Sequence, residues 1–341
     1  MLTLAFETSC DETSVAVLEN DTVLSNIILS QMFHSEWGGV VPEIASREHL
    51  NKIIEITEKA LSEAGVTLQQ IELVTATNEP GLIGALLIGL NFAKSIAVSL
   101  GVPFVPVNHI QAHIYSAFIH NVKPAFPFIS LIVSGGHTLL ILVEDYFKHK
   151  ILGTTVDDAA GEAFDKVAKL LGLGYPGGPA IDKFAKLGNP DFHKFPLAHV
   201  KDSPFDFSFS GIKTSVLYFL NKIEFEKIKD EELINDICAS FQRAVVDSLF
   251  NKTRKALKEY KIKTVTISGG VSANSGLKNK FTELEKSGYK VFIPDIEYTT
   301  DNAGMIGITG YYKFIKSKDK SIFNHESFSI KAKPRLNFSN F

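Results

Sequence analysis

Two histidines, His109 and His113, stand four residues apart in the segment NHIQAHIYSAF. On a helix, residues i and i+4 share one face, so both imidazoles can reach a single metal ion. The glutamate that an HExxH zinc protease uses as its general base is missing. A third ligand must come from elsewhere, and Asp301 in YTTDNAGMIG, a polar turn opening a helix, is the candidate. Two imidazoles and one carboxylate leave positions open for a substrate on Zn(II) or Fe(II). The competing reading is a histidine pair that caps or packs. The remaining histidines are scattered (34, 49, 120, 149, 193, 199, 325), except His137 in the turn SGGHT.

Three stretches of small residues follow apolar runs: TSCDET, SGGHT and ISGGVSAN. Tight turns at strand ends present backbone N–H groups that can cradle phosphate. None spells GxxxxGK[ST] or GxGxxG, which disfavours P-loop and Rossmann sites. Asp11 and Glu12 are adjacent in the first turn. There both carboxylates can point to a cleft, to hold a metal ion or water or to act as a base; a solvated turn is the alternative. In VDDAAGEAFDKVAKLLG the acids Asp157, Asp158, Glu162 and Asp165 cluster. Spacing puts Glu162, Asp165 and Lys169 on one helix face, which by itself reads as solvated and salt-bridged. GYPGGPAID is a rigid loop whose glycines permit close backbone approach to a ligand. The aromatic–serine run FDFSFSGIKTS reads as a buried strand or loop.

The elements that must position these residues follow from hydropathy. LTLAFE, SVAVLE and VLSNIILS read as three strands, and a helix is expected from Pro42 to Ala64. IELVTATN is another strand, followed by the apolar stretch 82–100. The pattern recurs: PFISLIVS, LLILVE and ILGTTV are strands, KTVTISGG is a strand ending in glycines, and VSANSGLKNKFTELEKSG is a helix. Strand-turn-strand-strand thus appears twice, as does strand-glycine-helix. This predicts two α/β lobes of related topology with a cleft between them. A mostly helical insertion falls between 157 and 260. The connection 101–109, GVPFVPVNH, is the expected boundary, giving a first lobe over 1–107 joined by 296–341, and a second over 108–295.

The 341 residues carry 35 Lys+Arg against 38 Asp+Glu, a net charge of −3, and 45% are hydrophobic. That composition excludes a disordered chain and offers no global basic field for coating nucleic acid. Charge is nonetheless uneven: 313–335 hold seven Lys/Arg against two acids, and 248–263 hold six against one. Two cysteines, Cys10 and Cys238, make no disulfide scaffold. The start MLTLAFETSC lacks a basic n-region and meets Asp11 and Glu12 at once, unlike a signal peptide. Residues 82–100 approach membrane-span length, but Asn91, Lys94, Ser95 and Ser99 interrupt them; a buried helix, apolar all round, is expected. A cytoplasmic protein without a membrane segment is the resulting expectation.

FETSCDETSVAV, GGVVPEIASREH, HIQAH, IVSGGHT, DDAAGEAFDKVAKLLGLGYPGGP, FSFSGIKTS, ISGGVSAN and TDNAGMIG occur in this order. Together, over residues 3–335, they resemble the tRNA threonylcarbamoyladenosine transferase (TsaD) family, once described as glycoproteases, in its bacterial branch. The resemblance implies the actin/Hsp70/sugar-kinase-like (ASKHA) fold, α/β with two duplicated lobes and an interlobe nucleotide cleft. It implies transfer of threonylcarbamoyl from threonylcarbamoyl-AMP to N6 of the adenosine 3′ of the anticodon, in tRNAs reading codons that begin with A. AMP leaves.

By the same resemblance His109, His113 and Asp301 are ligands of one divalent ion, Fe(II) or Zn(II). Ile132, Val133, Ser134, Gly135 and Gly136 match the substrate-binding turn, and Asp165 and Gly178 match substrate contacts. Asp182 matches a position acidic only in some members, and Asn274 matches the nucleotide-side asparagine. Asp11 or Glu12 is the expected proton acceptor, and Lys313, Lys316 and Lys318 are expected to meet tRNA phosphates. The implied partners are an inactive shorter paralogue (TsaB-type) and a small P-loop ATPase (TsaE-type). Three rivals stand beside this reading. A sugar kinase of the same fold needs no histidine pair, a metallopeptidase needs a base near the metal, and a non-catalytic paralogue should lack the metal ligands.

Overall fold

The computed structural model describes residues 1–31, 39–119, 122–197, 200–201, 203–223 and 230–335. His34, His120, His199 and Gly38 of the GGVVPEIASREH motif lie outside the described residues. The chain forms two compact units, Met1–Lys123 with Pro294–Phe341, and Pro124–Ile293.

In the first unit the alternating runs become β1 (Leu2–Glu7), β2 (Glu12–Glu19) and β3 (Thr22–Ser30), an antiparallel meander. The apolar runs β4 (Leu73–Glu79) and β5 (Phe104–Asn108) add in parallel, giving the order β3-β2-β1-β4-β5. Alternation sends Leu4 and Phe6 to one face and Thr3 and Ala5 to the other. The first face packs with Val15, Val17, Val74 and Ala76 against α1 (Pro42–Ala64) and α2 (Ile83–Leu100). The second receives α9 (Ala303–Lys316), which seats its glycines directly on the sheet. A Cβ at Gly307 would come within 2.2 Å of Leu18, and one at Gly310 within 2.3 Å of Thr75. The short helix α3 (His109–Tyr115) follows β5 and also packs on α9.

The second unit repeats the topology with β6 (Phe128–Val133), β7 (Thr138–Asp145), β8 (Lys148–Thr154), β9 (Thr264–Ser268) and β10 (Lys290–Phe292), ordered β10-β9-β6-β7-β8. Its helices are α4 (Ala160–Leu170), α5 (Gly177–Ala185), α6 (Ser210–Leu220), α7 (Glu231–Glu259) and α8 (Ser275–Thr282). Ile129, Leu131, Leu140, Phe164, Phe241 and Phe281 belong to one apolar cluster at its core. Both units thus run three antiparallel strands and then two parallel ones, the duplication expected from the sequence.

Three expectations need correction. The boundary falls at 123/124 instead of 107/108, because GVPFVPVNH supplies strand β5 of the first sheet and α3 stays beside α9. Helix α2 is long and apolar enough to cross a membrane, yet it is buried on one face only. Ala85, Leu86, Gly89, Leu90 and Ala93 pack inward, while Ile83 and Val98 are exposed at 46% and 67%. The stretch VSANSGLKNKFTELEKSG divides into a 3-10 turn, α8 and a second 3-10 turn, because Asn274 caps α8 only after the first turn has closed.

Candidate active site

The candidate metal ligands His109 and His113 are placed by the junction of β5 and α3. Asn108 ends the strand and caps the helix, its Oδ1 accepting from the N–H groups of Ile110 at 2.9 Å and Gln111 at 3.1 Å. His109 and His113 then lie on one face, their rings edge to face with centroids 4.7 Å apart. Asp301 precedes α9, whose cap Asn302 accepts from Met305 N at 2.9 Å. Its Oδ1 is 3.3 Å from His109 Nε2 and 3.4 Å from His113 Nε2. One ligand atom from each residue lies within 4.8 Å of the others.

His113 is 1% exposed, and neither of its ring nitrogens makes a hydrogen bond among the described residues. Leaving a buried polar group unbonded costs about 1–3 kcal/mol, which argues against a merely packed pair. The orphaned ring, its neighbour and the facing carboxylate fit a divalent cation of the Zn(II) or Fe(II) class. Without the ion, burial would lower the His109 pKa, but Asp301 and Glu7 outweigh it and hold it well above the usual value. Burial would likewise raise Asp301, and the two histidines hold it well below the carboxylate range instead. His113 is pushed down by burial, and charge on His109 adds to the effect.

Glu7 was not among the residues singled out from sequence. It is fully buried and takes hydrogen bonds from Ser9 N, Thr77 Oγ1 and His109 Nδ1. The signal was present: a carboxylate closing the apolar strand LTLAFE cannot stay buried without partners. Asp11 lies in the turn after β1, and Glu12 is the first residue of β2. Burial, with Asp301 and Asp11 nearby, holds Glu12 well above the usual carboxylate range. Burial and the same two carboxylates push the Cys10 thiol up, so it is no thiolate nucleophile.

The remaining candidate residues belong to the second unit. Ile132 and Val133 end β6 with side chains fully buried, so that segment can offer only backbone to a ligand. Its exposed part is the turn Ser134–His137, closed by Ser134 N to His137 O at 2.8 Å and His137 N to Ser134 Oγ at 3.1 Å. Gly135 and Gly136 are open to solvent, with room for a ligand around both. Two other glycines hold the turn from behind. A Cβ at Gly161 would stand 2.6 Å from Ser134 O, and at Gly269, whose φ is +88°, 2.4 Å from Val133 O.

Asp165 accepts from Gly177 N at 2.7 Å, capping α5 instead of joining a salt-bridged face. That ion-pair role belongs to Lys166, which meets Asp158 at 2.7 Å and Glu162 at 2.8 Å, while Lys169 is exposed. Burial raises the Asp165 pKa despite the backbone donors of Gly177 and Gly178. Asp182, on α5 itself, accepts from Ser275 N at 3.1 Å and Ser275 Oγ at 2.7 Å. Asn274 caps α8 through Leu277 N at 3.0 Å, and its Nδ2 donates to Gln242 Oε1 at 2.6 Å. Asp165, Asp182 and Asn274 are thus linked through α5 and α8, and Gln242 joins them unforeseen. The FSFSG run is also explained. Asp157 accepts from Ser208 Oγ, Phe209 N, Ser210 N and Ser210 Oγ, pinning the start of α6 over three buried phenylalanines.

A family model described as TsaD, tRNA N6-adenosine threonylcarbamoyltransferase, matches residues 22–308. The chain belongs to this family. Relatives carrying that name include one from Christiangramia forsetii, 47% identical and covering 98% of each chain. Another, from Clostridium perfringens, is 51% identical over 98% of this chain and 97% of its own. A third, from Chloroherpeton thalassium, is 51% identical over 91% of each. As a member of the tRNA N6-adenosine threonylcarbamoyltransferase family the chain is a transferase of tRNA modification.

Among solved structures, T. kodakarensis HypF superposes with a TM-score of 0.61 at 15% identity over 92% of this chain. The chain spans 47% of HypF. The activator of 2-hydroxyisocaproyl-CoA dehydratase from Clostridium difficile, solved with ADPNP, gives 0.50 at 14% identity over 92% of this chain and 95% of its own. These likenesses establish the ASKHA-type fold.

Proposed function

We propose that the chain moves the threonylcarbamoyl group of L-threonylcarbamoyladenylate onto N6 of the adenosine at position 37, 3′-adjacent to the anticodon, in tRNAs reading codons that begin with A. The observation that carries this reading is the buried His109–His113–Asp301 group with His113 unbonded, in a chain of this transferase family. A resident Fe(II) or Zn(II) held by the three supplies Lewis acidity toward a donor oxygen.

The donor is a mixed anhydride, already activated, whereas an exocyclic adenine amine is a poor nucleophile. The protein's work is therefore orientation and charge stabilisation. N6 forms a bond to the carbamoyl carbon, the bond from that carbon to the phosphate oxygen breaks, and AMP departs with the electron pair. The amine proton passes to the carboxylate of Asp11 or Glu12. The segment Ile132–Gly136 lines the donor, and the backbone N–H groups of Gly135 and Gly136 donate to the developing negative charge, Ser134 N being used to close the turn. Asp165, Gly178, Asp182 and Asn274 hold the adenylate. Asp165, Asp182 and Asn274 already bond to backbone or neighbouring side chains, so each shapes this surface as well as contacting the ligand.

The partners in this reading are tRNA, a shorter inactive paralogue of TsaB type and a small P-loop ATPase of TsaE type, in the cytoplasm. The test combines purified protein, threonylcarbamoyl-AMP, unmodified tRNA and these partners, followed by digestion to nucleosides. Threonylcarbamoyladenosine should appear only with the chain present. Its absence in every combination overturns the proposal.

A further inference from the structure

We propose that Glu7 is a positioning residue for the metal centre, fixing which nitrogen of His109 faces the ion; this rests on the metal reading above. The carboxylate lies at the end of β1 and is fully buried, so it must be satisfied by donors. It has three. Ser9 N donates to Oε1 at 2.5 Å, and Thr77 Oγ1 donates to Oε2 at 2.5 Å. The third is His109 Nδ1, 3.2 Å from Oε2. Ser9 N takes up Oε1 and Thr77 Oγ1 takes up Oε2, so the carboxylate meets His109 as an acceptor, and Nδ1 is the ring nitrogen turned toward it.

With Nδ1 committed to Glu7, Nε2 is the nitrogen that faces the other candidate ligands, 3.3 Å from Asp301 Oδ1 and next to His113 Nε2. Ser9 is woven into the same arrangement, its Oγ lying 3.3 Å from His109 Nδ1. His113 offers the contrast: its Nδ1 has no hydrogen-bond partner among the described residues, so no protein group sets its tautomer. Of the two imidazoles, only His109 has its Nδ1 engaged by a protein acceptor among the described residues. Carboxylates behind metal-bound histidines raise ligand basicity, and losing them costs roughly 10–100-fold in metal affinity.

The experiment measures Zn2+ dissociation by chelator competition and the His109 tautomer by 15N NMR, for native protein, Glu7→Gln, Thr77→Val and His109→Ala. In Glu7→Gln one amide nitrogen must face a group that Oε1 or Oε2 now accepts from, and the expected result is Zn2+ binding weaker by roughly 10–100-fold with loss of the Nδ1–H signature. Thr77→Val keeps the carboxylate and removes one donor to it; a smaller loss in the same direction is expected, which covers the case of a Glu7 variant that does not fold. Native Zn2+ affinity in both variants, with only the melting temperature of chelator-treated protein lowered, overturns the proposal. His109→Ala separates the two readings. Native Zn2+ affinity in that variant removes the metal assignment itself, whereas loss there with native affinity in Glu7→Gln removes only the role of Glu7.

Discussion

Asp182 Oδ1 holds both the N–H and the hydroxyl of Ser275, joining α5 to the first turn of α8 directly after Asn274. Its other oxygen pairs with Lys186 at 3.0 Å. Asp182→Ala is expected to weaken AMP binding by roughly 10–100-fold, the equivalent of losing a hydrogen bond to a charged group, and Lys186→Ala far less. Isothermal titration checks both. Unchanged AMP affinity with a lowered melting temperature assigns Asp182 to folding alone.

Asp165 gives a pH dependence. Burial raises its pKa above the ordinary carboxylate value, so as pH falls it takes up a proton earlier than an exposed aspartate does. If the carboxylate accepts from AMP hydroxyls, affinity is full at neutral pH and is lost as pH drops through the raised pKa. The loss should set in above about pH 4, the ordinary aspartate range, and be absent in Asp165→Asn, whose affinity stays low throughout. Titrations from the ordinary aspartate range up to neutral pH decide it.

Removing the ion tests the metal group. Chelator-treated protein should lose transfer and regain it with Fe(II) or Zn(II), and His113→Ala should lose stoichiometric metal as well as transfer. A His113→Ala protein that retains both, by metal analysis and nucleoside digestion, refutes the assignment.

Of the two basic stretches in the sequence, 248–263 is the one expected to grip tRNA, and Lys313 of the other drops out. Lys313 is part-buried, its Nζ donating to Pro106 O at 2.9 Å, and burial lowers its pKa. Lys313→Met should cost stability and leave the salt dependence of tRNA binding alone. On α7, Arg254, Lys255 and Lys258 are exposed and make no ion pair among the described residues, and Lys255 rests over the Phe205 ring. Reversing them should flatten the salt slope by roughly 0.7–0.9 for each phosphate they neutralise in the native protein. An unchanged slope assigns the phosphate grip to the partner proteins.

Gly269 carries a φ of +88° and leaves no room for a side chain beside Val133. Gly269→Ala combines that backbone strain, of order 1–3 kcal/mol, with a Cβ 2.4 Å from a carbonyl. Thermal melting should show the loss, and AMP binding should weaken because the Ser134 turn is displaced.

Much of this was legible because periodicity reports burial. The duplicated strand pattern, helix α1 and the His109–His113 spacing all followed from alternation and helical repeat. Asp301 could be guessed as a polar residue ahead of a helix. What escaped depends on contacts distant in sequence. Glu7 looks like one acid among many until β1 and β4 pair and bring Thr77 to it. Gln242 sits mid-helix and meets Asn274 only through tertiary packing. The 101–109 segment misled for the same reason: it reads as the connection between the lobes, while β4 recruits the stretch as a strand.

The first unit is discontinuous, and its metal group spans the break: both histidines belong to the segment ending at Lys123, and Asp301 to the segment beginning at Pro294. A ribosome therefore makes the histidines early and the carboxylate only after the whole second unit has emerged. Until then one face of the first sheet also lacks α9, which covers Ala5, Leu18 and Thr75. The candidate ligand set is consequently complete only late in synthesis, and a prematurely terminated chain is left with two of its three members and an uncovered sheet face.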